Sequence, residues 1–139
     1  FSHMEERFPE KVRAKIYFDL DLAQKIYGGS DLFLMPSLFE PCGLGQLISL
    51  RYGTIPVVRH TGGLADTIEE FNKETASGNG FVFNEYNSYA MLAAIRRAIA
   101  AYHDKESWKK LIRNAMASNH SWEDSAKEYL NLYKELASK

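Results

Sequence analysis

Cysteine, charge imbalance and long apolar runs are all scarce in this sequence of 139 residues, and each scarcity argues against a class of protein. Cys42 is the only cysteine, so no intramolecular disulfide can form, which fits a reducing cytoplasm. The formal net charge of -1 gives no electrostatic basis for binding nucleic acid or an anionic membrane surface. No apolar run approaches the roughly 20 residues that span a bilayer, and no signal peptide is visible.

Histidines are also few, and their spacing predicts no metal site. The four of them stand far apart in the chain, at positions 3, 60, 103 and 120. We therefore expect neither a metal ion nor a cofactor. The composition is otherwise ordinary, and residues 1–139 suffice for a single domain. Because no initiator methionine opens the chain, either its first three residues are left over from cloning or the whole chain is a piece of a longer protein.

Four short apolar segments alternate with helical patterns, which is typical of right-handed βαβ units. We predict an α/β fold over residues 11–84, with a parallel sheet of about four strands and helices on both faces. Residues 87–138 are predicted to form a helical tail. The predicted strands are residues 12–17, 31–36, 54–58 and 80–83.

Apolar spacing also predicts which side chains are buried. The run DLFLMP is typical of a strand covered on both faces. In the helix predicted over residues 42–52, the expected buried stripe is Leu44, Leu47 and Ile48, and Gly53 suits the position beyond its end. The last helix is predicted from apolar residues spaced by threes and fours: Trp122, Ala126, Tyr129, Leu130 and Tyr133.

Parallel sheets bind ligands at the carboxyl ends of their strands, so the turns at residues 17–21, 37–43 and 59–63 are the candidate sites. The middle turn carries Glu40 ahead of Pro-Cys-Gly-Leu-Gly, where small side chains let a ligand approach the backbone. Free amides at a helix N-terminus can hold sugar hydroxyls or phosphate oxygens, and a carboxylate beside them favours the sugar. The alternative is that Glu40 only complements the helix dipole.

The residues of the first turn and the single cysteine each allow two interpretations. Tyr17 and Phe18 could be core residues, or an aromatic ring there could stack on a nucleobase. Cys42 could be a nucleophile if His60 approached it, although a small residue chosen to fit its place is favoured.

The third turn is equally open. Thr61 could cap the helix that follows. Alternatively, the amides of Gly62 and Gly63 could lie against a diphosphate, which Arg59 could also reach.

The stretch SDLFLMPSLFEPCGLGQLISLRYGTIPVVRHTGGLADTI resembles the signature of the bacterial glycogen synthase and plant starch synthase family, which are retaining GT-B glucosyltransferases. Weaker similarity extends over about residues 4–137. The resemblance implies that the chain is the C-terminal portion of a Rossmann-like nucleotide-sugar-binding domain. It also implies a cytoplasmic enzyme that transfers glucose from ADP-glucose to the non-reducing end of an α-1,4-glucan with retention.

The resemblance implies roles for residues on the sugar side of the donor. Glu40 matches the family's glutamate against the donor glucose and is the predicted catalytic residue. The backbone amides of Cys42, Gly43 and Leu44 match those that hold the sugar hydroxyls.

On the nucleotide side, Phe18 matches an aromatic residue that stacks on adenine. Tyr17 stands beside it, where the family usually has glycine. Thr61, Gly62 and Gly63 match a turn that lies close to the donor.

The family's acceptor-side domain, and the cations that neutralise the leaving diphosphate, have no counterpart among these residues. We therefore expect the chain by itself to transfer no glucose. A non-catalytic binding or scaffold domain derived from a GT-B enzyme is the second reading. A receiver-type signalling domain is a third, although Asp31 begins its strand and has no acidic cluster beside it. A sheet without its first strands would expose an edge and invite pairing between copies.

Overall fold

The computed structural model describes residues 1–138, in which seven helices accompany a three-stranded parallel sheet. This confirms the predicted α/β class and the helical tail. In chain order the elements are α1 Ser2–Arg7, α2 Leu20–Gly29, β1 Leu32–Met35, α3 Gly45–Tyr52, β2 Ile55–Arg59, α4 Gly63–Thr67, β3 Phe81–Phe83, α5 Ser88–His103, α6 Lys105–Ala117 and α7 Trp122–Ala137.

The sheet has the order β1-β2-β3, and both pairs are parallel. β2 is central, and its Ile55, Val57 and Val58 are fully buried because both faces are covered. Since all three strands run the same way, their carboxyl ends meet at one edge of the sheet. Two of the three turns expected to form the site, those after β1 and β2, leave this edge, whereas residues 17–21 follow no strand.

The prediction of a strand at residues 12–17 is wrong, and the sheet has three strands instead of four. The segment is irregular, and Ile16 and Tyr17 are largely exposed. Alternating apolar residues make a strand only where a neighbouring strand supplies hydrogen bonds. No described strand pairs with this segment.

The run DLFLMP does form β1, but the prediction that both its faces are covered is wrong. β1 lies at the edge of the described sheet, and none of its residues is fully buried. Leu34 is 42% exposed.

The helix predicted over residues 42–52 begins later, at Gly45, and buries a different face. Its buried residues are Gln46, Ser49 and Leu50, whereas the expected Leu44 is 70% exposed. The i, i+3, i+4 spacing of the observed set is a proper helical face, but two of its members are polar.

The expected glycine at the end of this helix is confirmed. Gly53 has a φ of +77°, in the left-handed region, and its N–H donates to the carbonyls of Ser49 and Leu50.

The core lies between the sheet and helices α3, α5 and α6. α5 and α6 meet at Asp104, whose carboxylate caps α6 through the backbone and hydroxyl of Ser107. Lys73 lies 2.6 Å from the same carboxylate. The Lys73 ammonium, followed by the Ser107 hydrogen bonds, lowers the pKa of Asp104 to about 2.

α7 is confirmed as a helix, but none of its residues is buried. Its expected apolar face is open to solvent, with Trp122 83% exposed. None of the helices in residues 1–138 combines the length and the apolar character that crossing a membrane requires.

Candidate functional site

Two turns at the carboxyl ends of neighbouring strands lie in direct contact. The first turn, residues 37–44, leads from β1 to α3, and the second turn, residues 60–63, leads from β2 into α4. The N–H of Gly63 donates to the carbonyls of Glu40 and Pro41, at 3.1 and 3.2 Å. The fold therefore brings the sugar-side and diphosphate-side candidates of the sequence together.

This contact leaves no space for a side chain at either glycine of the second turn. A Cβ on Gly62 would lie 1.9 Å from the carbonyl oxygen of Glu40. One on Gly63 would lie 2.0 Å from that of Cys42. Gly62 also has a φ of +46°, a conformation that favours glycine. Backbone packing alone thus requires both glycines, whatever ligand they meet.

The carbonyl groups of the first turn are occupied by protein donors. Pro41 accepts from Gly63, as described above. The carbonyls of Cys42 and Gly43 accept from Nε2 of Gln46, at 3.1 and 2.9 Å. Three consecutive peptide units are therefore held from their carbonyl side.

The amides of those same peptide units belong to Cys42, Gly43 and Leu44. In a trans peptide unit the N–H points opposite to the carbonyl, and no cis peptide bond occurs in residues 1–138. The three N–H groups consequently point away from their buried partners, and none of them donates a hydrogen bond within the described chain. Leu44 is largely exposed and Cys42 is exposed, so this side of the turn is open.

Glu40 lies on the same turn, half-buried, immediately before these peptide units. Its Oε2 accepts from the hydroxyl of Ser37 at 3.2 Å, which leaves the carboxylate with further acceptor capacity. Because α3 begins only at Gly45, Glu40 lies outside the helical turn within which a dipole interaction is felt, and the dipole alternative is disfavoured.

Arg59 is directed at the protein and gives no support to the diphosphate alternative. Its Nη1 donates to the carbonyls of Leu38 and Ser37, at 2.6 and 3.3 Å. Its guanidinium lies 5.4 Å from the ring centroid of Tyr86. Arg59 therefore supports the chain that leads into Glu40.

Two alternatives for the turns are not realised. Thr61 does not cap α4, because Gly62 occupies the N-cap position and no side chain accepts a bond there. No hydrogen bond joins Cys42 to His60 in the described residues, so the nucleophile pair is not formed. Among residues 1–138, no cluster of three or more His, Cys, Asp or Glu side chains could hold a metal ion.

Tyr17 and Phe18 both lie largely exposed to solvent, in the irregular segment before α2. They lie just before Asp19, which caps α2 by accepting from the N–H of Leu22. The Phe18 ring is 88% exposed, and neither ring contacts another aromatic side chain of the described chain. The reading of both residues as core is therefore wrong, and their role toward a nucleobase stays a prediction.

Gln46 and Thr67 are the residues that sequence reasoning missed. Gln46 is fully buried, and its Nε2 also lies 3.3 Å from Oγ1 of Thr67. That hydroxyl donates to the carbonyl of Gly63 at 2.6 Å, so the pair connects both turns. The sequence did contain one indication of this role. Gln46, Ser49 and Leu50 have the i, i+3, i+4 spacing of one helical face, and that face is buried in a helix that begins at Gly45.

Comparison with known proteins confirms the resemblance to glycogen and starch synthases. The chain is 60% identical over 134 residues to the glycogen synthase of Kosmotoga olearia, covering 96% of this chain and 28% of that protein. It is 57% identical over 136 residues to the glycogen synthase of Bacillus cereus strain Q1, covering 98% and 29%. The chain thus spans less than a third of the length of these relatives.

Among solved structures, the fold is similar to the catalytic domain of starch synthase IV from Arabidopsis thaliana bound to ADP and acarbose. The TM-score is 0.86 at 38% identity, covering 99% of this chain and 29% of that one. The receiver-type alternative is thereby ruled out. Residues 7–117, which include all three strands and both turns, match the family described as glycosyl transferases group 1. The chain belongs to the glycosyl transferases group 1 family.

Proposed function

We propose that this chain is the donor-side part of a glycogen synthase, a retaining hexosyltransferase that moves glucose from ADP-glucose to the non-reducing end of an α-1,4-glucan. The observation that carries the proposal is the first turn, where the Glu40 carboxylate lies beside three outward-facing amides. Relatives named glycogen synthase at 56–60% identity support the reaction. A starch synthase of the same fold that holds ADP and acarbose supports the two substrates.

On the sugar side, the amides of Cys42, Gly43 and Leu44 donate to the glucose hydroxyls and the carboxylate of Glu40 accepts from them. This pairing suits a hexose, whose hydroxyls are both donors and acceptors. Positive charge develops on a glycosyl group as its bond to the leaving group breaks, and a carboxylate close to that charge stabilises the transition state. We assign the catalytic role to Glu40 on this ground.

On the nucleotide side, Phe18 stacks on adenine and Tyr17 lies beside the nucleotide. The open face of the Phe18 ring supports this assignment. Thr61, Gly62 and Gly63 lie close to the diphosphate, because they contact the first turn; the N–H of Gly63 itself donates to the carbonyls of Glu40 and Pro41 and is not available to the ligand.

The chain by itself is expected to transfer no glucose. Residues 37–44 and 60–63 contain no lysine or arginine, and Arg59 is occupied by backbone carbonyls. The leaving diphosphate therefore lacks the cations that would stabilise it. Incubation with labelled ADP-glucose and glycogen tests this, and elongated glucan would contradict it.

Titration of the chain with ADP-glucose and with ADP, followed by calorimetry or NMR, tests the donor site. Glu40→Gln keeps the size and removes the charge, so we expect the affinity for ADP-glucose to fall about tenfold and that for ADP to be unchanged. Glu106→Gln is the matched control, because Glu106 lies exposed on α6 in an ion pair with Lys109. If the unaltered chain bound neither ligand, a non-catalytic scaffold domain would be favoured.

We further propose the reducing cytoplasm as its location and the sheet edge as the place where copies associate. The free, exposed Cys42 suits the first, and the edge position of β1 in the described sheet suits the second. Sedimentation over a range of concentrations tests the association, and a monomer throughout would contradict it.

A further inference from the structure

We infer that Gln46 is a positioning residue for the donor sugar, because its buried amide group aims the N–H groups of Gly43 and Leu44 out of the protein. The inference rests on the proposed function, since it takes the first turn to be the glucose-binding turn. It adds to that function the claim that the affinity for the glucose part of the donor depends on Gln46, a buried side chain that the glucose does not contact.

The hydrogen bonds of Gln46 carry the first step. Its Nε2 donates to the carbonyls of Cys42 and Gly43, at 3.1 and 2.9 Å. These carbonyls belong to the peptide units whose N–H groups are those of Gly43 and Leu44. Because a peptide unit is planar, holding the carbonyl fixes the direction of the amide on its far side. Gln46 is fully buried, so that far side faces outward.

The second observation is the close packing of Gly43 against the side chain of Gln46. Gly43 has a φ of +75°, and a Cβ there would lie 2.4 Å from Oε1 and 2.9 Å from Nε2 of the glutamine. The turn therefore rests directly on the side-chain amide, with glycine as the residue that permits the contact.

The third observation is that burying Gln46 in this way destabilises the fold. Oε1 of Gln46 is buried and has no hydrogen-bond partner among the described residues. An unpaired buried carbonyl oxygen destabilises a fold, and an apolar side chain of similar length would avoid that cost. What the apolar side chain could not do is hold two peptide units in one orientation.

The contact with Thr67 extends the effect to the second turn. Nε2 lies 3.3 Å from the Thr67 hydroxyl, which in turn donates to the carbonyl of Gly63. Gln46 thus sets the first turn relative to the second. Only a ligand that occupies both turns at once, as ADP-glucose would, depends on that spacing.

The test compares two ligands on one variant. Gln46→Met keeps the length of the side chain and removes both N–H groups. We expect its affinity for ADP-glucose to fall about tenfold, and its affinity for ADP to stay within about twofold, because only the sugar uses the redirected amides. A general loss of structure would lower both affinities together, and that result, or no change in either, would overturn the inference.

Asn114→Leu is the matched control. Asn114 does for another loop what Gln46 does for the first turn, since its Nδ2 donates to the carbonyls of Ala76 and Gly78, at 2.8 and 2.9 Å. Its replacement should reduce stability without altering either affinity. If Gln46→Met does not fold, Gln46→Leu is the second variant, because it is a smaller apolar side chain that also lacks the N–H donors.

Amide chemical shifts separate this inference from the proposed function. If the unaltered chain bound neither ligand, the proposed donor site would fail, yet the shifts would still decide the role of Gln46. Gln46→Met should displace the amide resonances of Gly43 and Leu44, and Asn114→Leu should displace that of Gly78 instead. Unchanged resonances at Gly43 and Leu44 would overturn the positioning role by themselves.

Discussion

The two sides of the candidate donor site are built in different ways. On the sugar side, the two turns interlock through backbone hydrogen bonds, such as that from Gly63 to Glu40. On the nucleotide side, Phe18 lies in an irregular segment with its ring 88% exposed. A preorganised group binds without paying to become ordered, whereas an exposed one is ordered on binding. Substitutions at the glycines where the two turns interlock should therefore damage folding, and those on the nucleotide side should alter binding alone.

Gly62→Ala should have the largest effect, because it forces the two turns apart. The new methyl group would meet the carbonyl oxygen of Glu40, a backbone atom, and the φ of +46° is strained for alanine. We expect the free energy of unfolding to fall by about 3 kcal/mol or more, as measured by urea denaturation.

Gly29→Ala is the control for that substitution. Gly29 ends α2, and nothing lies within 4 Å of an added Cβ. Alanine there should be neutral or raise stability by about 0.5–1 kcal/mol. Equal losses at Gly62 and Gly29 would show that the turns are not interlocked.

Phe18→Ala tests the nucleotide side of the site, where we expect binding to change and stability to stay the same. Since the ring is exposed, the free energy of unfolding should change by less than about 0.5 kcal/mol. The loss of stacking on adenine should weaken the binding of ADP about tenfold, measured by calorimetry. A destabilised variant with unchanged affinity for ADP would reverse the assignment.

Asp104→Asn provides a reference outside both sides of the site. The pKa of Asp104 is lowered to about 2, below the ordinary value of a carboxyl in an unfolded chain, which is about 3.9. The charge therefore stabilises the fold above about pH 4, and its contribution is lost as the pH falls toward 2. The variant should be less stable than the parent at pH 7, and the difference should narrow on acidification. A difference that stays constant over this range would contradict the ion pair with Lys73.

Removal of residues 119–139 should have the smallest effect. α7 buries none of its residues, so the free energy of unfolding should change by less than about 0.5 kcal/mol, and the affinity for ADP-glucose should not change. A large loss on denaturation would show that α7 supports the interlocked turns.

The sequence predicted most of what positions the site. Apolar runs identified β1, β2 and β3, and the strand-to-helix turns identified the carboxyl edge, because parallel pairing follows from alternation of strands and helices. It failed at residues 12–17, where alternation was present but a pairing partner was not. Pairing is a property of two segments, and one segment cannot reveal it.

The prediction of which side chains are buried near the site was also wrong, because burial too depends on contacts with other segments. Leu44 was expected inside and Gln46 was not considered, yet the observed positions are reversed. A helix start shifted to Gly45 turns a different face inward, and hydrogen bonds to carbonyls make a buried glutamine tolerable. The alternative that Arg59 reaches a diphosphate was left open for the same reason, since its carbonyl partners belong to a turn far away in sequence.

The contact between the Gly62-Gly63 pair and the first turn has a consequence for protein engineering. Any side chain at either position would collide with a backbone oxygen, at 1.9 or 2.0 Å. Mutagenesis aimed at a different sugar donor would therefore find both positions closed to variation. A library that changes the nucleotide preferred in the donor should hold these two codons constant and place its diversity at Tyr17 and Phe18, whose side chains are largely exposed.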